Sequence, residues 1–258
     1  MSRQLTVAVA LVVLPLAAVA CGGGKKTSSP TTTVTAASAK QAVQAAAEKT
    51  AKAGSLKLVI SAGTTASGAP IVVHGAGAFD TTVHKGQLHL AFSAAGIQST
   101  ASVILDGTTL YLRSPLFAFG LPSEKKWIEV DLQKGAKAAG VDLSKLLGQD
   151  PAQTLDQLKS VSTVTEIGPA QVGGVSATRY RAHVTANSAG TAAAGVYDVW
   201  VGSDGYVHRV RSVVVAKSGT KVTATSTLSG FGDPVTVTLP PPASTYTSTT
   251  GTLPVPAG

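Results

Sequence analysis

From Ser55 onward apolar side chains fall at every second position, and "SLKLVIS", "PIVVHGAGAF", "GQLHLAFS", "STASVILDG" and "TLYLRS" follow one another at hairpin spacing. A period of two marks strands with one face turned to a core, and Leu88, Leu90 and Phe92 share such a face. Asp106-Gly107, between Leu105 and Thr108, supplies a tight turn. No connection in this stretch is long enough to hold a crossover helix, so the pattern predicts an antiparallel meander.

Before Ser55 the period is helical. Ser38 with Gln41 three residues on reads as a capping box, and the alanine-rich "AKQAVQAAAEKTAKAG" runs to Gly54 as a natural stop. Its stripe is mostly alanine, so it can lie close against a sheet. The middle of the chain breaks the alternation. "SPLFAFGLPSEKK" predicts a loop that exposes apolar residues between two prolines, followed by a short strand "WIEVDL". Leu143, Leu146 and Leu147 then fall at helical spacing, and "DPAQTLDQLKSV" offers Asp150 as N-cap, Pro151 at the first helical position, and Leu155 and Leu158 on one face. Strands resume with "TVTEIGPAQVGG", "SATRYRAHVTA", "GVYDVWVGSDGYVHRVRSVVVAK" and "KVTATSTLSGFG", and Ser203-Asp204-Gly205 turns a hairpin. The expected fold class is α+β, mainly β, with about ten strands, a number that usually curls or closes.

The N-terminal residues follow neither period. Arg3 precedes an apolar run from Leu5 to Val19, which is the form of a secretory signal over residues 1–20 and is short for a spanning helix. The sole cysteine, Cys21, follows directly, succeeded by three glycines and two lysines. With no partner for a disulfide and no packed neighbours, its place points to processing: Ala18-Val19-Ala20-Cys21 resembles the lipobox of a bacterial lipoprotein, although Ala18 stands where leucine is usual. The competing reading is an ordinary A-x-A cleavage that releases a soluble chain. Residues 21–37 are a lipidated cysteine and a Gly/Ser/Thr/Pro tether, 38–242 the folded domain, and 243–258 a tail expected to be disordered. Localisation on the extracytoplasmic face of the cell membrane follows, the membrane being a partner through the anchor.

Charge changes the picture little. The chain carries +8, and loss of Arg3 leaves 20 basic against 13 acidic residues. The cations are scattered, no basic helix occurs, and the aromatics do not interleave with them as a stacking platform requires, so no nucleic-acid partner is expected. A solvated basic surface near anionic headgroups is the simpler account.

"DGTTLYLRSPLF", "KKWIEVDL", "DPAQTLDQLKSVSTV", "VGGVSATRYRAHV", "YDVWVGSDGYVHRVR" and "FGDPVTV" resemble the actinobacterial LppX/LprG-type lipoproteins, whose domain is similar to the LolA lipoprotein carrier. The resemblance implies a strongly curved antiparallel sheet, a half-barrel covered on its concave side by helices. It also implies an acylated lipid or glycolipid held in the cavity between them, in a protein that helps transfer it. It carries over no list of ligand residues. Leu143, Leu146, Leu147, Leu155 and Leu158 would line that cavity or plug it, and Leu116, Phe117, Phe119 and Leu121 would form its entrance or a contact with an envelope protein partner. A plugged domain would instead be a sensor or scaffold module of the same fold.

No catalytic set assembles from the residues. There is no G-x-S-x-G elbow, phosphate-binding glycine loop, H-E-x-x-H or cysteine pair, so neither enzyme, metal nor cofactor is expected. His84 and His89 are expected on opposite faces of a strand, and His74, His183 and His208 at the surface. Glu129 and Asp131 share a strand face with Trp127 beside Lys125 and Lys126, which reads as a solvated face. Trp200, beside Asp198, reads as sheet packing.

Stable attachment needs two acyl chains, which a diacylglyceryl thioether on Cys21 supplies. The mature chain should therefore partition into detergent, and Cys21→Ser should move it to the aqueous phase; equal partitioning of both forms would leave only the soluble reading.

Overall fold

The structure is a computed structural model that describes residues 36–66, 69–94, 96–134, 161–184, 195–215 and 221–248. One helix, α1 (Ala36–Ala51), precedes eleven strands: β1 (Ser55–Ala66), β2 (Ala69–Asp80), β3 (Lys85–Ala94), β4 (Ile97–Asp106), β5 (Thr109–Arg113), β6 (Trp127–Asp131), β7 (Val161–Val172), β8 (Val175–Val184), β9 (Gly195–Gly202), β10 (Val207–Val215) and β11 (Lys221–Ser229). A twelfth, β12 (Thr245–Thr247), closes the described chain.

All twelve strands form one sheet in the order β12-β6-β5-β4-β3-β2-β1-β11-β10-β9-β8-β7. It consists of two meanders, β1 to β6 and β7 to β11, and the second runs back so that β11 lies beside β1. Every pair is antiparallel except β12 with β6. The sheet is open and curved rather than a closed barrel, with β12 and β7 as its edges. Strand ends gather on two rims. One carries the β3–β4 turn at Ile97, the β5–β6 connection, and the facing ends of β10 at Val215 and β11 at Lys221; the other carries the turns at Asp80, Asp106 and Asp204.

Helix α1 lies on one face of this sheet. Ala39, Val43, Ala46 and Thr50 fall on one stripe and are buried, and they pack with Leu56, Val164, Tyr180, Ala182, Val199, Val207 and Leu228. Small side chains let the helix axis sit close to the strands. The helix begins at Ala36, two residues before the expected cap at Ser38, because Ala36 and Ala37 are themselves strong helix formers. Its other end is as expected: Gly54 takes φ +80°, which only glycine adopts without strain, and its carbonyl accepts from the Thr81 N–H at 2.8 Å.

A second difference lies beyond residue 242. Thr245–Thr247 extend the sheet along β6, with the Lys126 N–H donating to Ser244 O at 2.8 Å and the Ser248 N–H to Glu129 O at 2.9 Å. The folded part therefore continues past the boundary that composition suggests. Three prolines precede this short, polar strand, so locally it reads as a tail, while its hydrogen-bond partners lie more than a hundred residues upstream. The stretch 114–126 also differs from a plain loop. Pro115–Gly120 is a 3₁₀ helix capped by Ser114, whose hydroxyl accepts from the Leu116 N–H at 3.3 Å.

One buried hydroxyl fixes α1 to the sheet. Thr50 Oγ1 donates to Ala46 O at 2.7 Å and accepts from the Val207 N–H at 2.8 Å, and the residue is 1% exposed. Thr50→Val keeps the shape and strands a buried N–H, a loss of about 1–3 kcal/mol. Denaturant unfolding should show a lower midpoint with an unchanged slope.

Candidate functional site

Cross-strand register decides which side chains share a face. Leu58, Gly77, Leu88, Val103, Leu112 and Ile128 form one rung across β1 to β6, and Leu56, Phe79, Gly86, Leu105, Leu110 and Val130 the next. All twelve positions are apolar or glycine. The rung on the opposite face reads Lys57, Ala78, Gln87, Ile104, Tyr111 and Glu129. Period-two alternation has thus sorted the first meander into an apolar inner face, on the α1 side, and a mixed, largely polar outer face.

Glycines shape the inner face. A Cβ on Gly75 would sit 2.6 Å from Leu90 Cδ2 and 2.9 Å from Ile60 Cγ1, so these two side chains fold over the space that glycine leaves. Gly86 is covered in the same way by the Phe79 ring. Glycine in strand interiors permits the close approach and bending that a curved sheet needs.

The cluster that packs with α1 draws on β1 and on β7 to β11, and none of its members comes from β2 to β6. Over the first meander Val73, Leu88, Leu90, Phe92, Val103 and Leu112 are half-buried. This apolar face is the candidate site. Leu116, 45% exposed, and Phe117 and Leu121, half-buried, belong to the connection between β5 and β6, which packs against β4; Phe119 lies in the same 3₁₀ helix. Leu143, Leu146, Leu147, Leu155, Leu158 and Cys21 lie outside the described residues. The residues that sequence reasoning did not single out are Gly75, Val103, Leu112 and their neighbours. Their signal was present in the alternation, but only register shows that five hairpins align it on one side.

The charged groups serve other ends. Asp198, 3% exposed, accepts from Arg179 Nη2 at 2.6 Å and from Arg181 Nε at 2.8 Å on the outer face of β8 and β9. Arg179 and Arg209 lie over the Trp200 ring at 5.1 and 5.8 Å, so Trp200 packs on the sheet as expected. Burial works to raise the Asp198 pKa, but the hydrogen bonds and charges of the two arginines outweigh it and hold the carboxyl below its usual value. Asp131 accepts from the Gln133 and Lys134 N–H groups, a capping role, and Glu129 faces Tyr111, whose pKa rises through burial and the nearby charges of Glu129 and Asp106.

His208 corrects the expectation of a surface position: it is 6% exposed, its Nε2 is 2.9 Å from Asp204, and its ring meets Phe231 edge-on. The β9–β10 turn folds Asp204 back over the strand, which alternation alone does not reveal. His84 lies in the β2–β3 turn with φ +53° rather than in a strand, and His89 is on the outer face, 3.2 Å from Ser102 Oγ. Among the described residues, no three histidine, cysteine or carboxylate side chains come together as metal ligands would.

The chain is similar to two solved lipoproteins of the type its motifs resemble. LppX from Mycobacterium tuberculosis shares 15% identity over 79% of this chain and 100% of its own, with a TM-score of 0.48. LprF from Mycobacterium bovis shares 16% identity over 85% of this chain and 97% of its own, also at 0.48. A DUF1329 family protein from Desulfovibrio piger, at 12% identity, matches 78% of this chain and 95% of its own with a TM-score of 0.27. No family model and no curated protein matches the chain.

A carboxyl whose folded pKa lies below its unfolded value stabilises the fold above the unfolded pKa, near 4, and loses that contribution as pH falls through the folded value. Asp198→Asn should lower the thermal midpoint by several degrees at pH 7 and flatten the acid limb of midpoint against pH. A variant with the wild-type midpoint at pH 7 would show that the arginine pair contributes nothing.

Proposed function

We propose that this protein is an extracytoplasmic lipoprotein, held to the membrane through Cys21, whose inner face accommodates the acyl chains of an acylated lipid or glycolipid and helps transfer it. The observation that carries the reading is the apolar inner face of β1 to β6, where two complete rungs hold no polar side chain and from which, apart from β1, no residue joins the cluster packed with α1. Acyl chains need area and dryness rather than hydrogen-bond partners, and half-buried leucine, valine and phenylalanine provide both. No step of this role requires a nucleophile, metal or cofactor. The signal and the lipobox-like residues support export and anchoring on the sequence side.

The alternative is a domain with a filled core that presents the fold to an envelope partner without cargo. Val103 separates the two, since it sits mid-rung between Leu88 and Leu112 and is half-buried. In a carrier, Val103→Trp occupies volume meant for the ligand and should abolish binding of a fluorescent fatty-acid probe to delipidated protein while leaving the thermal midpoint unchanged. In a filled core the same change overpacks, at a cost of about 1–3 kcal/mol. A lowered midpoint, together with no saturable probe binding by the wild type, would overturn the carrier reading.

A further inference from the structure

The two rims of the sheet differ in chemistry. Five described aspartates, Asp80, Asp106, Asp131, Asp204 and Asp233, lie at the Asp106 rim. Lys85, Lys134 and Lys57 pair there with Asp106, Asp131 and Asp233, and the Lys49 ammonium donates to Asp204 O. The Ile97 rim is the reverse. Arg113, Lys125, Lys126 and Lys221 stand at it, with Glu124 the one carboxylate among the described residues of that rim. No described carboxylate pairs with Arg113, Lys126 or Lys221; Arg113 lies over Trp127 at 6.0 Å and Lys125 donates to Ala243 O at 3.0 Å.

Large apolar side chains are exposed among these cations: Ile97 at 63%, Val215 at 55% and Leu116 at 45%. Ile97 ends the inner-face rung of Thr64, Ile71 and Ala94, so the apolar face runs out to this tip. Cations with no described carboxylate partner, interspersed with exposed apolar groups, match the interface of a bilayer, where headgroups are anionic and the acyl boundary lies a few ångströms deeper.

We infer that the Ile97 rim is the surface by which this protein docks on an anionic lipid bilayer, its inner face opening toward the membrane. This deepens the carrier reading and rests on it for the direction of lipid passage, but the docking itself does not. The tether sets distance rather than orientation: extended, the residues between Cys21 and Ala36 reach at most about 50 Å, enough for either rim to meet the membrane. Orientation then falls to the rims. The Asp106 rim would bring carboxylates already matched by lysines, with no excess of positive charge to meet an anionic surface, whereas the Ile97 rim brings ammonium and guanidinium groups that no described carboxylate offsets.

The test uses the full mature chain with Cys21→Ser, so that binding does not report the anchor. Cosedimentation is measured with vesicles of equal parts phosphatidylglycerol and phosphatidylcholine, and with phosphatidylcholine alone. Docking predicts binding to the anionic vesicles that raised salt weakens, and little to the neutral ones. Lys126→Gln should weaken it about fivefold, the effect of one charge near such a surface, and Ile97→Asp with Leu116→Asp should remove it. Val83→Asp, equally exposed but on the Asp106 rim at 53%, should leave it unchanged. Equal binding to both vesicle types, unchanged binding by the rim variants, or an equal loss in Val83→Asp would overturn the inference. Titration of the same proteins with the fatty-acid probe, without vesicles, keeps the two ideas apart: a wild type that binds no probe yet docks through the Ile97 rim ends the carrier reading alone, and one that binds probe but no anionic vesicle ends the docking.

Discussion

The pairing of β1 with β11 is the constraint on which the rest of the structure depends. Leu58 lies opposite Gly77 on one side and Leu228 on the other, and this contact, between residues far apart in sequence, turns two local meanders into one sheet. A slip of one residue at this junction would carry the second meander's apolar set to the opposite side from that of the first. Because it holds, α1 can rest on β7 to β10 while its C-terminal turn leads directly into β1.

What could be read from the sequence follows the range of the interactions involved. The hairpin turn at Asp106-Gly107, the helix stop at Gly54 and the alternation in "GQLHLAFS" are local, and each appears where the pattern puts it. Strand β12 could not be read, because "TYT" gains its meaning only from Trp127, Ile128 and Glu129. His208 was hidden for a related reason: its neighbours Arg209 and Arg211 suggest a surface strand, and the cover comes from Asp204 and Phe231, which arrive by a turn and by a distant segment. The candidate site was legible in kind, as an apolar strand face, and illegible in extent. Leucines of the middle segment attract attention because helical spacing concentrates them, whereas the inner-face residues are spread thinly over five hairpins.

The outer face uses its charges economically. Arg179 and Arg181 alternate with Tyr180 and Ala182 on β8, so the inward pair fills the core beneath α1 while the outward pair closes on Asp198. A nearly buried carboxylate would be unfavourable alone. Bracketed by two guanidiniums, one of which also stacks on Trp200, it becomes a cross-link between β8 and β9 at the centre of the second meander. The half of the sheet that carries α1 thus has both faces occupied, by helix within and by this ion cluster without.

The other half is built differently: no member of the cluster around α1 comes from β2 to β6, and along its rungs burial runs from half-buried Leu88 and Val103 to buried Ile128 and Val130. Leaving apolar area near water forgoes stabilisation, at about 25 cal/mol per Å², so the fold must be secured elsewhere. At the Asp106 rim that security is dense: Thr50 clamps Val207, Lys57 meets Asp233, and Gly54 receives Thr81. The Ile97 rim has no comparable set of described ion pairs. Among the described residues the ion pairs therefore gather at the Asp106 rim, while at the Ile97 rim the strand ends are held by hydrogen bonds to carbonyls, as from Thr64 Oγ1 to Lys221 O, from Lys125 Nζ to Ala243 O and from the Lys126 N–H to Ser244 O.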